Sequence, residues 1–216
     1  MKTITWLLTM MVTATASSTR TASFDSSPPG RLPTGWVSVS TPAGAAPKWE
    51  VVREPTAPSP PNVLVQVSNR ADSQPLAVLE SLRLADGEIS VRFKPIGTSE
   101  EQLAGVVWRY RDSNNYYMAR ADALDHSVLV YRIAGGRATL LRPLGRTGQI
   151  HARYNPPPGQ WGTLKVVFRG SRFGIYVNHR RVLEFYDTTI SGSGKVGLCS
   201  GPGSAAYFDD FRVSTR

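Results

Sequence analysis

What most constrains this chain is the alternation in "GEISVRFKPI", Gly87 to Ile96. Ile89, Val91 and Phe93 fall on one side, and Glu88, Ser90, Arg92 and Lys94 on the other. A period of two belongs to a β-strand with one buried and one wet face. The same rhythm recurs from Trp36 onward, in short runs rich in Val, Ile, Leu, Tyr and Phe, separated by Gly, Pro, Asn, Asp and Ser. The candidate strands are "WEVV", "NVLVQVS", "LAVLESLR", "GEISVRFKPI", "LAGVVWRYR", "YYMARAD", "SVLVYRI", "ATLLRPL", "GTLKVVFRG", "RFGIYVN", "RRVLEFYD", "GKVGLCS" and "AYFDDFRVS". No window has a helical period. The proline clusters "PTAPSPP" and "NPPPG" suit surface loops and are too short for domain linkers. About a dozen strands without helices predict an all-β sandwich of two antiparallel sheets.

The first residues have a different character. Lys2, the apolar run Ile4 to Val12 and Ala14-Thr15-Ala16 form a secretory signal-peptide pattern. The run is too short to span a bilayer, which needs roughly 20 apolar residues. Cleavage after Ala16 leaves 200 of 216 residues, and the mature form is expected to be exported, without a membrane span. Residues 17–23 read as a small polar tail without order, and 24–216 as one domain. Cys199, the only cysteine, can form no intramolecular disulfide; in "KVGLCSG" it reads as a buried small hydrophobe. The net charge is +9, and 20 of the 25 basic residues are Arg. They are dispersed, with no run beyond Arg180-Arg181, which argues against a nucleic-acid-binding element and for a solvated basic surface.

Several motifs are excluded by context. "GSGKVG", Gly192 to Gly197, has the spacing of a dinucleotide loop. That loop must open a helix, and here it leads into a strand pattern, so no nucleotide is expected. His126, His151 and His179 lie far apart, without zinc-ligand spacing, and His179 follows Asn178 in a hairpin-turn position. No G-x-S-x-G elbow occurs. A glycosidase needs two carboxylates across one bond, which on a strand calls for alternating acids, and the chain has no such triplet.

The stretch "WRYRDSNNYYMARADALD", Trp108 to Asp125, is the densest in recognition chemistry. A two- or four-residue turn would put Val106, Trp108, Tyr110, Tyr117, Ala119 and Ala121 on one face. Val107, Arg109, Arg111, Tyr116, Met118, Arg120 and Asp122 would then share the other. The first set suits a core. The second is a stripe of guanidinium groups with a Tyr and a carboxylate, the partners a sugar ring and its hydroxyls use.

Three stretches carry a resemblance: "FDSSPPGRLPTGW", "GVVWRYRDSNNYYMARADAL", and "GQWGTLKVVFRGSRFGIYVNHRRVLEF" with "GKVGLCSGPGSAAYFDDFRV". Together they resemble the bacterial concanavalin A-like (laminin G-like) jelly rolls, nearest to the 3-keto-disaccharide hydrolase domain family. The resemblance implies a jelly-roll sandwich hosting either sugar-binding modules or glycoside hydrolases. It also implies a structural calcium, with Asp209 of "FDDFRV" as a ligand near Asp25; the alternative is that Asp209 only hydrogen-bonds the N-terminal segment. Alternation puts Phe208 and Asp210 opposite Asp209, so the strand is expected to be covered on both sides and Asp209 buried. The leading expectation is an exported, non-catalytic carbohydrate-binding domain using Arg109, Arg111, Tyr116, Arg120 and Asp122. One alternative is a hydrolase with Asp122 and Asp125 as acids and His126 as proton carrier. The other is an adhesion domain that binds protein or anionic polymer.

Overall fold

The computed structural model describes residues 18–67, 72–96, 102–145 and 159–215. The expected signal segment 1–16, His151 and most of "NPPPG" lie outside the described residues. The described residues form two antiparallel sheets and contain no helix. One sheet holds β1 (Thr19–Ala22), β3 (Trp49–Arg53), β4 (Asn62–Gln66), β6 (Gly87–Ile96), β11 (Gly162–Arg169), β12 (Arg172–Val177), β13 (Arg180–Tyr186) and β15 (Ala205–Ser214). The other holds β2 (Trp36–Thr41), β5 (Gln74–Leu84), β7 (Leu103–Asp112), β8 (Asn115–Asp122), β9 (Ser127–Ala134), β10 (Arg137–Leu140) and β14 (Gly194–Ser200). Their orders are β13-β12-β11-β6-β15-β4-β3, with β1 also on β15, and β10-β9-β8-β7-β14-β5-β2. No helix of the described residues is long and apolar enough to cross a membrane.

The alternation that predicts β6 holds residue by residue: Ile89, Val91 and Phe93 are buried in the inter-sheet core, and Arg92 and Lys94 face outward. That core joins Trp36, Trp108, Tyr117, Phe168, Phe173, Phe185, Phe208 and Phe211. Trp108 stacks on Tyr117 at 5.4 Å and meets Phe173 edge-on at 5.4 Å, the offset geometries that aromatic quadrupoles favour. Cys199 is fully buried, as its strand pattern implies, and burial pushes its thiol up to about 12. Asn178 and His179 form the β12–β13 turn, both with positive φ, so His179 is a turn residue.

Two expectations need correction. Thr19–Ala22, read as an unordered polar tail, is a strand, each residue paired with one between Phe211 and Ser214 of β15. Thr19, Arg20 and Thr21 are exposed and only Ala22 packs against the core, so the backbone ladder chiefly holds this strand, which hydrophobic patterning cannot register. The second concerns β15. Phe208 and Phe211 lie in the same core, not on opposite sides. The register shifts between Asp209 and Arg212, and Asp210 takes φ +48°, so one extra residue returns Phe211 inward.

Candidate functional site

The hairpin of β7 and β8 closes through a two-residue turn, Ser113-Asn114, with Asp112 opposite Asn115. Asp112 Oδ1 accepts the Asn114 N–H at 2.8 Å and the Asn115 side-chain N–H at 3.0 Å, which fixes that turn. Trp108 lies opposite Tyr117 and both enter the core, as the face assignment requires. Beyond Trp108 the assignment fails. Residues 109–111 oppose Tyr116 alone, a bulge with Arg109 at φ +48°. Tyr110 therefore turns to the outer face beside Tyr116, ring centroids 5.7 Å apart, and Arg109 turns inward.

Arg109 is not part of a groove. It is 3% exposed, and its guanidinium donates to the carbonyls of Ala85 (2.9 Å), Ile190 (2.9 Å) and Gly170 (2.5 Å). Ala85 lies between β5 and β6, Ile190 between β13 and β14, and Gly170 between β11 and β12. Two of these connections cross from one sheet to the other. A planar cation with five donors on a fixed fork suits three converging carbonyls.

The same end of the sandwich is pinned by Asp187. Its carboxylate accepts from Tyr117 Oη (2.7 Å), Arg132 (2.7 Å) and the Thr189 N–H (2.8 Å), and Tyr117 Oη accepts the Ile190 N–H at 3.0 Å. Burial raises the Asp187 pKa, but these donors outweigh it and hold the carboxyl below the usual range. The folded state thus binds a proton less readily than the unfolded chain. The stabilisation is present above the unfolded value of about 4 and is lost as pH falls through the lower folded value. Denaturant midpoints measured between about pH 2 and 7 should show an acid limb below about pH 4 that is shallower in Asp187→Asn. An identical limb in both proteins would exclude this role.

Asp122 also has a structural task. Its Oδ1 accepts the N–H groups of Leu124 (2.9 Å) and Asp125 (3.4 Å), closing the β8–β9 loop. Asp125 and His126 are exposed in that loop, His126 with φ +50°. Asp122 is thus engaged in closing the loop, while the side chains of Asp125 and His126 face solvent. Tyr116 is 1% exposed, its hydroxyl 2.8 Å from Thr41 Oγ1. Arg120 is half-buried, donating to Gln74 Oε1 at 2.9 Å with its guanidinium 4.9 Å from the Tyr131 ring centre. The outer face of this sheet is therefore no open polar stripe. Leu76, Val78, Val107, Tyr110, Tyr116, Met118, Ile133 and Cys199 form a second apolar cluster on it.

Beside that cluster lies a groove of about 490 Å³. Val39, Val78 and Tyr110 supply apolar lining, and Ser38, Ser40, Glu80, Arg111, Asp112 and Lys195 the polar groups. Glu80 and Lys195 form an ion pair at 3.1 Å, and Arg111 donates to the Ser191 carbonyl. Of the residues expected from sequence, Arg111 belongs to this groove, Tyr116 lies behind it against Tyr110, and Arg109, Arg120 and Asp122 stand outside its lining. The residues missed from sequence lie on four strands: Ser38, Val39 and Ser40 on β2, Val78 and Glu80 on β5, Tyr110 and Asp112 on β7, and Lys195 on β14.

No protein-family model matches the chain, and no curated protein matches it in sequence. Solved structures do share its fold. The carbohydrate binding module CBM66 from Bacillus subtilis superposes with a TM-score of 0.62 at 20% identity, covering 83% of this chain and 95% of that one. The cellulose induced protein Cip1 gives 0.60 at 12% identity, covering 90% and 96%. A protein of unknown function with a galectin-like fold, also from Bacillus subtilis, gives 0.52 at 13% identity, covering 84% and 90%. The chain is thus a two-sheet antiparallel jelly-roll sandwich of the concanavalin A-like class.

Proposed function

We propose that this is an exported carbohydrate-binding domain whose sugar site is the groove between β2, β5, β14 and the β7–β8 hairpin. The observation that carries the reading is the groove's composition: a Val–Val–Tyr lining edged by both carboxylates and cations. A sugar ring offers apolar C–H faces to such a surface, and its hydroxyls both donate to Glu80 or Asp112 and accept from Arg111 or Lys195. The fold, shared with a carbohydrate-binding module, supports it. Export rests on the residues 1–16 pattern alone.

A glycan array followed by calorimetry tests the proposal. Arg111→Ala and Glu80→Gln, both at exposed side chains, should each weaken binding about tenfold while leaving the melting temperature unchanged. Silence of the wild-type chain on neutral and acidic glycans would sink the reading. Turnover of a keto-disaccharide would move the assignment to a hydrolase.

A structural calcium at Asp209 is a second proposal, and the donor chemistry fits one. Asp209 is 0% exposed; its two oxygens accept the N–H groups of Ser59 (2.8 Å) and Asp210 (2.7 Å). Burial raises its carboxyl to about 6; those N–H groups oppose the rise, and nearby Asp210 and Asp25 add to it. A carboxylate has about four lone-pair sites, so two remain for a hard cation. Asp25 has one oxygen on the Asn62 N–H at 3.1 Å. Among the described residues no three His, Cys, Asp or Glu side chains form a metal cluster, so backbone carbonyls would complete the shell. Chelator should lower the melting temperature, and Asp209→Ala should abolish that sensitivity. Equal melting curves in chelator and calcium would leave Asp209 with its hydrogen bonds alone.

A further inference from the structure

The outer face of the eight-stranded sheet carries a second polar concavity, remote in the fold from the proposed sugar groove. Two adjoining hollows of about 240 and 140 Å³ share Ser90, Thr163, His179 and Arg212. The register explains the convergence. Thr163 pairs with Arg92, Lys165 with Ser90, and Ser90 with Arg212, so side chains of three neighbouring strands rise together. The β12–β13 turn brings His179 over the same place.

The charge there is unbalanced toward cations. Lys165 pairs with Glu88 at 3.4 Å and Arg212 with Asp210 at 3.4 Å. These are the acids of the two hollows, which leaves Arg92 with no ion pair among the described residues. Arg92 Nε is buried and donates to nothing among the described residues. A buried donor of this kind ordinarily has a partner, and a guanidinium pairs best with an oxyanion. Hydroxyls of Ser90 and Thr163 stand beside it as further donors.

We propose that this concavity binds the carboxylate or sulfate group of an acidic polysaccharide, with Arg92 and Arg212 as its principal donors. The site is independent of the sugar groove, so either can fail alone. Calorimetry at fixed ionic strength would use three probes: a sulfated tetrasaccharide, an oligogalacturonate of equal length, and neutral cellotetraose. One or both acidic probes should bind, naming the oxyanion. The double variant Arg92→Gln/Arg212→Gln should weaken that binding about tenfold or more. Arg83→Gln/Arg137→Gln removes equal charge from the opposite sheet and should change it less than about twofold. Arg212→Gln alone, at an exposed side chain, serves if the double variant does not fold. The proposal is overturned if neither acidic probe binds, if the remote pair weakens binding equally, or if Arg111→Ala abolishes it.

Discussion

Arg109→Ala is expected to cost about 3–5 kcal/mol of folding stability, the range for leaving buried polar groups uncompensated. The guanidinium satisfies carbonyls of three connections, two of which cross between the sheets, and it lies 5.6 Å from the Phe173 ring centre. Alanine would leave those carbonyls unpaired and a void beside Phe168 and Phe173. Lysine should rescue little, because a point cation cannot reproduce the planar fork. Denaturant unfolding of wild type, Arg109→Ala and Arg109→Lys measures this. A loss below about 1 kcal/mol, typical of a surface pair, would show that the three connections hold without it.

Gly105→Ala should cost about 3 kcal/mol, at the upper end of overpacking penalties. A Cβ there would lie 2.1 Å from the Ala119 carbonyl oxygen and 2.8 Å from Cys199 Sγ. Backbone oxygen in the middle of a sheet cannot step aside without breaking the ladder between β7 and β8. Gly135 provides the contrast. It has φ +57° and nothing within 4 Å of its Cβ position, so Gly135→Ala meets only conformational strain, roughly 1–2 kcal/mol. If the two alanine variants melt alike, steric closeness at Gly105 is not what the strand requires.

Most strands were legible because each carries its own period. β6 and β14 begin and end where "GEISVRFKPI" and "GKVGLCS" do. β1 was illegible since only Ala22 of its four residues packs against the core, and β2 since "WVSVST" alternates with small polar residues. The site was less legible. Arg111 sits in the groove as read, yet Arg109, two positions away in the same alternation, points into the core. Asp122 and Asp125 look like a pair of acids in sequence, while one closes a loop and the other faces water.

The sequence by itself determined the strand rhythm, the two-sheet class, the absence of disulfide staples and the basic surplus. Those properties follow from side-chain period and composition, which are local or additive. Only the tertiary structure decided which faces are open. In β15 one extra residue at Asp210 inverts the side chains beyond it, because a strand's period is two, and in β7 the bulge at 109–111 exchanges the faces of Arg109 and Tyr110. Whether that residue bulges depends on neighbouring strands: β14 shifts register against β7 and β5 at the same level. The groove beside β2 and the hollows around Arg92 and Arg212 lie next to those shifts. Their residues come from strands distant in the chain, brought side by side by pairing that no single segment encodes.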